Sequence, residues 1–483
     1  MHIQWKPDRN HPATLQDQIK QYMLDRIAKG DWPLETKLPP ERQMATAFQV
    51  NRSTLVTVLD DLKAQGLLEG RGRKGTFVVN NSWSLLTSSA QPDWATYIDQ
   101  GIHAPNQWMI QQINHLEFTE DIIRLGTGEP SPALFPKDLM AQVMEAVSKE
   151  ITHLGYEEPK GNIRLRRAIA TDLKRFGMDV PVDQIMIVSG SLQAFSLIAR
   201  SILQPNSSIY TERPSYVKSL NVFQSAGMRL DGIEMDDWGI SLGHLEKRMK
   251  KSGTNLLYTI PTFHNPTGVL MPLERRRDLL ELAGRLQLPI IEDDAYRDLW
   301  LDEEPPIPLK AMDTSGNVIY IGSLSKSYAP GIRIGWVVGP QPIVDRLGDI
   351  KMQTDYGASS LSQLVAAKWL EDGYHLTYQK RLRRALIKRR DLVLSILENR
   401  FSDLATWSRP SGGFYVWLQL NQAIDQQRLF QRLLEDRILI NPGNIYDYGD
   451  TQAIRLSYAY ADEEEIRHGL PILADCIREL SQA

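Results

Sequence analysis

Residues 318–336 read Val-Ile-Tyr-Ile-Gly-Ser-Leu-Ser-Lys-Ser-Tyr-Ala-Pro-Gly-Ile-Arg-Ile-Gly-Trp, and the fold can be worked out from this stretch. It begins as a β-rich apolar run and continues into Ser323, Ser325, Lys326 and Arg333. A lysine at the end of a buried strand can bind an aldehyde covalently, while nearby hydroxyls and an arginine hold a phosphate. The stretch therefore predicts a strand-end site for a phosphorylated aldehyde.

A second apolar run is followed by residues that could bind a phosphate. Gln184–Val188 is followed by Ser189, Gly190 and Ser191 and then by a helical pattern. Backbone N–H groups at a helix N-terminus are donors that suit a phosphate. Because a lone Ser-Gly-Ser is also compatible with an ordinary turn, the assignment depends on the other strand ends.

Two more strands are expected to carry polar groups at their ends. Leu256–Ile260 leads to Asn265, which can donate a hydrogen bond to a ring hydroxyl, and Pro289–Ile291 leads to Asp293 and Tyr296. A carboxylate at such a position can pair with a protonated pyridine nitrogen, although an isolated aspartate can also cap a helix and Asn-Pro-Thr-Gly can be a turn. Short apolar runs that alternate with helical patterns predict an α/β fold with a mainly parallel sheet and a ligand site beyond its carboxyl edge.

Length and composition limit the class of protein. A chain of 483 residues is too long for one ordinary core and predicts a small domain plus larger lobes. It lacks an apolar run of 18 residues, and its first residues lack a signal-peptide apolar core. The single cysteine allows no internal disulfide. We therefore expect a cytoplasmic protein with neither a membrane nor a metal ion among its partners.

The first 80 residues differ in character from the rest. They carry a small excess of basic residues, whereas the whole chain has a net charge of −4. Helical spacing of apolar residues predicts a first helix that ends near Gly30, a second within residues 37–48 and a third between Asn51 and Gly66, followed by a glycine-rich hairpin. The candidate DNA contacts lie on the third helix, the wing and the second helix: Asn51, Arg52, Ser53, Thr54, Thr57, Arg71, Arg73, Lys74 and Arg42.

Residues 12–80 resemble the winged helix-turn-helix of GntR-type regulators. The matching positions are Leu38–Arg42, Asn51–Leu55, Gly66–Leu68 and Arg73–Thr76. One departure is Pro40, which stands where the family often has a serine and removes a possible helix-capping hydroxyl. The resemblance implies binding to double-stranded operator DNA.

Residues 120–480 resemble the fold-type I, class I aminotransferases that use pyridoxal 5'-phosphate. By this resemblance Lys326 is the Schiff-base lysine, and Asp293 contacts the pyridine nitrogen. Asn265 and Tyr296 would contact the ring oxygen, and Tyr216 would stack on the ring. The phosphate would be held by Gly190, Ser191, Ser323, Ser325 and Arg333.

The same resemblance assigns three residues outside these strand ends. Tyr156 fits a tyrosine that reaches the cofactor phosphate of the neighbouring subunit. Arg455 fits the arginine that binds an amino acid's α-carboxylate in a bidentate pair, which Gly128 would approach through its backbone.

The whole chain resembles the MocR/GabR subfamily of GntR transcriptional regulators. The predicted domains are a winged helix-turn-helix at 1–80, a linker and docking segment at 81–119 and an aminotransferase-like domain at 120–483. The subfamily implies a homodimer that senses an amino acid, an amine or the cofactor itself. The alternative is a catalytically active aminotransferase with an attached DNA-binding head, because Lys326 and Arg455 are both present.

Overall fold

The chain forms two compact units, Met1–Ala104 and Pro105–Ala483. A computed structural model describes residues 5–9, 11, 13–28, 31–32, 36–64, 66–79, 106–249, 254–449 and 451–481. Trp94, Tyr97 and Ile98, which we expected in the docking segment, lie outside the described residues. Within the described ranges, none of the helices combines the length and apolar character that crossing a membrane requires.

The first unit consists of three helices and a short hairpin. Its elements are α1 (Leu15–Ala28), α2 (Glu41–Phe48), α3 (Arg52–Ala64), β1 (Leu68–Gly70) and β2 (Thr76–Val78). The apolar faces of the three helices form one core around Met23, Phe48 and Leu59. Helix α2 lies within the predicted residues 37–48 and begins directly after Pro39 and Pro40, which keep the preceding residues out of the helical conformation.

The second unit contains the remaining elements. Its helices are α4 (Trp108–Leu116), α5 (Lys137–Glu150), α6 (Ile163–Leu173), α7 (Ser191–Ser201), α8 (Leu242–Arg248), α9 (Leu273–Leu286), α10 (Leu309–Met312), α11 (Gln341–Thr354), α12 (Ser360–Glu371), α13 (Tyr374–Arg400), α14 (Gln426–Glu435) and α15 (Glu463–Ser481). Its strands are β3 (Ile123–Arg124), β4 (Ile185–Val188), β5 (Ser208–Arg213), β6 (Arg229–Asp236), β7 (Gly239–Ile240), β8 (Asn255–Thr259), β9 (Ile290–Asp293), β10 (Val318–Ser323), β11 (Gly335–Val338), β12 (Ala405–Trp407), β13 (Tyr415–Leu420), β14 (Ile438–Leu439), β15 (Asn441–Pro442) and β16 (Ala453–Ser457).

The main sheet is mixed and mostly parallel. Its order is β4-β11-β10-β9-β8-β5-β6-β7, in which β11 and β7 are antiparallel to their neighbours. Both faces are covered, since Ile185 and Ile187 of β4 pack into one core while Met186 and Val188 pack into another. The strands β8, β9 and β10 run parallel, so their carboxyl ends reach the same edge of the sheet.

A smaller antiparallel sheet completes the second unit. Its order is β12-β13-β16-β15, with Trp417 of β13 opposite Arg455 of β16. Helix α4 belongs to this unit, where Met109 and Ile113 are buried and Trp108 packs edge-to-face against Phe430. Residues from the small sheet and from α4 are thereby brought to the carboxyl edge of the main sheet.

Candidate functional site

A cavity of about 600 Å³ lies where the carboxyl ends of β8 and β10 meet the small sheet. Its walls include Lys326, Asn265, Tyr216, Gly128 and Arg455, which come from separate parts of the sequence. Parallel strands deliver the first two, and β16 delivers the arginine. Two predicted strand-end residues, Asn265 and Lys326, and both predicted carboxylate ligands therefore line one cavity.

Lys326 follows β10 and is half-buried. Its Nζ donates a 2.5 Å hydrogen bond to the backbone oxygen of Gly128. This contact holds the amine at the cavity wall, and the amine remains available to a ligand carbonyl that enters the cavity.

Asp293 lies at the end of β9 and is only 5% exposed. Its Oδ2 accepts a 2.8 Å hydrogen bond from the hydroxyl of Tyr258, while Oδ1 is buried without a partner among the described residues. Burial raises the pKa of Asp293 to about 6, although the Tyr258 hydrogen bond and Lys326 act in the opposite direction. A buried carboxylate oxygen without a donor is a strong acceptor for a ligand N–H.

This burial predicts a pH-dependent gain in stability for Asp293→Asn. The folded pKa of about 6 lies above the unperturbed 3.8, so the wild type loses stability relative to the variant as pH rises from about 4 to about 6. We expect urea denaturation of the ligand-free variant at pH 8 to show up to about 3 kcal/mol more stability than the wild type, and no difference at pH 3. The exposed Asp475→Asn is the control, and a variant destabilised at both pH values would contradict the assignment.

A chain of polar contacts joins the strand ends to the arginine. The Nδ2 of Asn265 donates to the hydroxyl of Tyr296 at 3.3 Å, and that hydroxyl lies 2.9 Å from the hydroxyl of Tyr415. The Oδ1 of Asn265 accepts a 2.9 Å hydrogen bond from Nη1 of Arg455. A ligand that contacts Asn265 or Tyr296 is therefore coupled directly to the position of Arg455.

Arg455 is buried, with 5% exposure, and makes no ion pair with a described acidic residue. Its Nη2 donates to the backbone oxygen of Gly126 at 2.7 Å, and its Nε is buried without an acceptor in the described structure. The guanidinium lies over the rings of Tyr415 and Tyr446, at 4.2 and 4.8 Å from their centroids. A buried cation without a carboxylate partner indicates a binding site for an anion.

The predicted phosphate ligands lie together at the N-terminus of α7. Gly190 caps this helix with φ +88°, and a Cβ there would lie 2.4 Å from Nη2 of Arg333. That nitrogen donates to the backbone oxygen of Ser189 at 2.7 Å. The guanidinium, the N-terminus of α7 and Ser191 thus form a positive cradle.

The two serines of the opening stretch lie on the turn after β10. Ser323 is buried, and its Oγ accepts a 3.1 Å hydrogen bond from the backbone N–H of Ser325. The turn is therefore preorganised with both hydroxyls close to Lys326 in the chain.

Tyr216 and Gly128 line the cavity from opposite segments. The backbone N–H of Tyr216 donates to the oxygen of Asn265 at 3.1 Å, which ties the tyrosine to the strand end. A Cβ on Gly128 would lie 2.4 Å from the hydroxyl of Tyr415, so only glycine fits the space between this tyrosine and the cavity. The backbone of Gly128 can thus approach a ligand held by Arg455.

Tyr156 does not line the cavity. The other predicted residues of this unit that do not line it are Gly190, Ser191, Asp293, Tyr296, Ser323, Ser325 and Arg333. The side chain of Tyr156 is 84% exposed and packs against the ring of Tyr356, which is itself 55% exposed, at a centroid distance of 4.9 Å. Within one chain, therefore, Tyr156 lies on the surface and does not line the cavity.

The predicted DNA-contacting residues lie on the surface of the first unit. Arg42, Asn51, Arg52, Ser53, Thr57 and Lys74 are exposed, Thr54 and Arg71 are partly buried, and the side chain of Arg73 lies outside the described structure. A groove of about 790 Å³ here is lined by Lys37, Arg42, Arg52, Lys63 and Lys74 among others. These lysines and arginines give this face a positive charge, which favours binding to the phosphate backbone of DNA.

Two of these arginines are held by acidic neighbours. Arg52 donates from Nε and Nη2 to Glu41 at 3.1 and 2.8 Å, and Arg71 donates to Glu69 at 2.6 Å while lying over the ring of Phe77. The ion pair between Arg52 and Glu41 joins the starts of α3 and α2. It restricts the guanidinium to one orientation at the N-terminus of the third helix.

Several cavity residues were not predicted. Tyr415 and Tyr446 enclose Arg455, Tyr258 supports Asp293, and Glu117 and Arg124 line the outer wall. The only sequence signal for Tyr258 was its place in the predicted strand Leu256–Ile260, and α4 carried no signal that it lines a cavity.

Comparison with known proteins identifies both units. Residues 15–78 match the model for bacterial regulatory proteins of the gntR family, and residues 120–473 match the model for class I and II aminotransferases. The uncharacterized HTH-type transcriptional regulator YisV of Bacillus subtilis is 50% identical over 99% of each chain. The HTH-type transcriptional regulator NorG of Staphylococcus aureus is 35% identical, over 90% of this chain and 98% of the relative.

A solved structure shows the same fold for the second unit. The kynurenine aminotransferase of Pyrococcus horikoshii, in complex with PMP, is 32% identical with a TM-score of 0.74, and the match covers 81% of this chain and 97% of that protein. The predicted fold class, an aminotransferase-like α/β domain behind a helix-turn-helix head, is therefore confirmed.

Proposed function

We propose that this chain, which belongs to the gntR family of bacterial regulatory proteins and to the class I and II aminotransferases, is a ligand-responsive transcriptional regulator that uses pyridoxal 5'-phosphate. One observation carries the proposal: Lys326 and the buried cation Arg455 share one cavity, on a chain that begins with a winged helix-turn-helix. Both relatives named above are regulators, which favours regulation over the alternative of an enzyme with a DNA-binding head.

The residues present fit the cofactor. Oδ1 of Asp293 lacks a donor that a pyridinium N–H would supply, and the cradle at Gly190 and Arg333 suits a phosphate. Lys326 would hold the cofactor covalently, Asn265 and Tyr296 would contact its ring oxygen, and Tyr216 would stack on its ring. The phosphate would be held by Gly190, Ser191, Ser323, Ser325 and Arg333.

The cofactor supplies an aldehyde carbon that combines with amines and a ring that withdraws electrons. The chain supplies the remaining recognition. Arg455 would bind the carboxylate of an amino acid effector, and the Asn265 contact would pass any movement of the guanidinium to the ring-oxygen contacts. Gly128 would bring its backbone close to the same carboxylate.

We further propose a homodimer. Tyr156 and Tyr356 form an exposed aromatic pair, which is expected at a protein interface and not on a free surface. In the dimer, Tyr156 would reach the cofactor phosphate of the neighbouring subunit. Two-fold symmetry then implies repeated operator half-sites.

These assignments give each of three segments of the chain its own proposed role. Residues 1–80 would bind operator DNA through Arg42, Asn51, Arg52, Ser53, Thr54, Thr57, Arg71, Arg73 and Lys74. Residues 81–119 would connect and dock the head, and residues 120–483 would bind the cofactor and an amino acid or amine. Because operator DNA lies in the cytoplasm, the regulator would act there.

Operator titration of wild type and Lys326→Ala tests this function. The DNA is the fragment upstream of the protein's own gene, with and without pyridoxal phosphate and a panel of amino acids. We expect a ligand-dependent change in wild-type operator affinity of about 5- to 150-fold, which Lys326→Ala loses while basal DNA binding remains.

The control for this experiment is Lys149→Ala, an exposed lysine paired with Glu145 on α5. It should respond to ligand as the wild type does. If neither protein binds the fragment while the wild type transaminates amino acids, the enzyme alternative replaces the proposal.

A further inference from the structure

The outer wall of the cavity carries charges that the proposed function does not use. This wall is formed by α4 and by the segment from Arg124 to Glu129. It presents two carboxylates, Glu117 and Glu129, and one guanidinium, Arg124. A ligand whose carboxylate lies at Arg455 would direct the rest of its side chain toward such a wall.

The guanidinium on this wall is already engaged. Nη1 of Arg124 donates to the hydroxyl of Tyr460 at 2.7 Å, and Nη2 donates to the backbone oxygen of Thr119 at 3.2 Å. The guanidinium also lies over the ring of Tyr460, at 4.7 Å from the centroid. Because Arg124 shares this wall with Glu117 and Glu129, the wall has a net negative charge, which favours a cation over a second ligand carboxylate.

The acceptors on the wall are mostly unused. Glu117 accepts one hydrogen bond, at 2.9 Å from the hydroxyl of Thr127, and Glu129 accepts none from a described side chain or backbone group. The carboxylates of Glu117 and Glu129 can therefore accept further hydrogen bonds from a ligand.

Neighbouring cations lower the pKa of Glu129 and so stabilise its ionised form. Burial raises the pKa of Glu129 and Glu117 adds to the rise, whereas Lys326 and Arg124 oppose it. A positive group on this side of the cavity therefore stabilises the carboxylate. When Lys326 Nζ is committed to the cofactor, a ligand ammonium can take over that role.

We infer that the effector is a diamino acid, whose α-carboxylate lies at Arg455 and whose distal ammonium lies at Glu117 and Glu129. This inference rests on the proposed function for the orientation of the ligand. The chemical class follows from the wall, because two carboxylates there accept hydrogen bonds and attract positive charge, and an ammonium group donates three hydrogen bonds. An aliphatic stem between the two ends would lie against Ile110 and Ile113, which line the same side.

Calorimetric titration of the cofactor-loaded full chain tests the ligand class. The probes are L-lysine and L-ornithine, L-norleucine, which lacks the distal ammonium, and L-2-aminoadipate, which replaces it by a carboxylate. We expect lysine or ornithine to bind about 10- to 100-fold more tightly than norleucine. Glu117→Gln and Glu129→Gln should each reduce this preference, and the double variant should abolish it.

Retained norleucine binding shows that these variants are folded. The matched control is Glu120→Gln, an exposed glutamate three residues beyond Glu117 that does not line the cavity, and it should keep the full preference. The inference is overturned if norleucine binds as tightly as lysine. It is also overturned if aminoadipate binds most tightly and Arg124→Gln removes that preference.

Operator affinity, measured in the same samples, separates this inference from the proposed function. Selective lysine or ornithine binding without any change in operator affinity supports the ligand class and rejects regulation by this ligand. An equal change in operator affinity with norleucine and lysine supports regulation and rejects the diamino acid.

Discussion

Arg455→Gln is expected to weaken binding of amino acid ligands to the cofactor-loaded protein by at least about 30-fold. The wild-type guanidinium is buried and without an acidic partner in the described structure, and its two terminal nitrogens are fixed by Asn265 and Gly126. A ligand carboxylate would therefore meet a charge that is already oriented and largely dehydrated. Glutamine removes the charge and the planar fork while keeping part of the volume.

A pair of ligands isolates the role of the charge. L-lysine and 1,5-diaminopentane differ only in the carboxylate, so the variant should lose affinity for lysine and keep its affinity for the diamine, as measured by calorimetry. Arg409→Gln, at an exposed arginine, is the matched control and should bind both ligands like the wild type. Equal losses for the two ligands would show that Arg455 supports the fold of the cavity and does not bind the carboxylate.

The double variant Arg42→Ala, Arg52→Ala is expected to lose about 100-fold or more in operator affinity. Each arginine is exposed near the start of α2 or α3, and a bidentate arginine contact to a base contributes about 1–3 kcal/mol of discrimination. Because Glu41 holds Arg52 in one orientation, little side-chain freedom remains to be lost when DNA binds. Fluorescence anisotropy with the operator fragment and a scrambled fragment measures both affinity and specificity.

Arg26→Ala provides the control in the same unit. Arg26 lies on α1, where it pairs with Asp31, and its loss should change operator affinity by less than about threefold. If the double variant binds operator and scrambled DNA as the wild type does, the face formed by α2 and α3 is not the DNA-binding surface.

The fold class, and the position of three proposed site residues at the ends of strands, could be predicted because the signals are local. Lys326, Asp293 and Asn265 each follow an apolar run within a few residues, and parallel strands bring their carboxyl ends to one edge. The family assignment is confirmed for the same reason, since the head motif and the lysine stretch are continuous in the chain.

The residues that were missed depend on packing between distant segments. Tyr415 reaches Tyr296 because β13 lies beside β16 in the small sheet, which no spacing in the sequence indicates. Tyr258 lies in a strand whose residues 256–259 are all buried, so a pattern-based argument counts it as core. Glu117 looks like a solvated helix-end charge until α4 is seen against the cavity.

Hybrid proteins that join this ligand domain to a foreign DNA-binding head would need their splice on the amino-terminal side of Pro105. Helix α4 supplies Ile110 and Ile113 to the cavity wall, and Glu117 follows directly after it. A splice just before residue 120, where similarity to the aminotransferases begins, would replace that wall together with the head. If the DNA-binding unit were replaced on the amino-terminal side of Pro105, the hybrid would keep the whole cavity wall. It should then respond to the same ligands while binding the operators of the new DNA-binding unit.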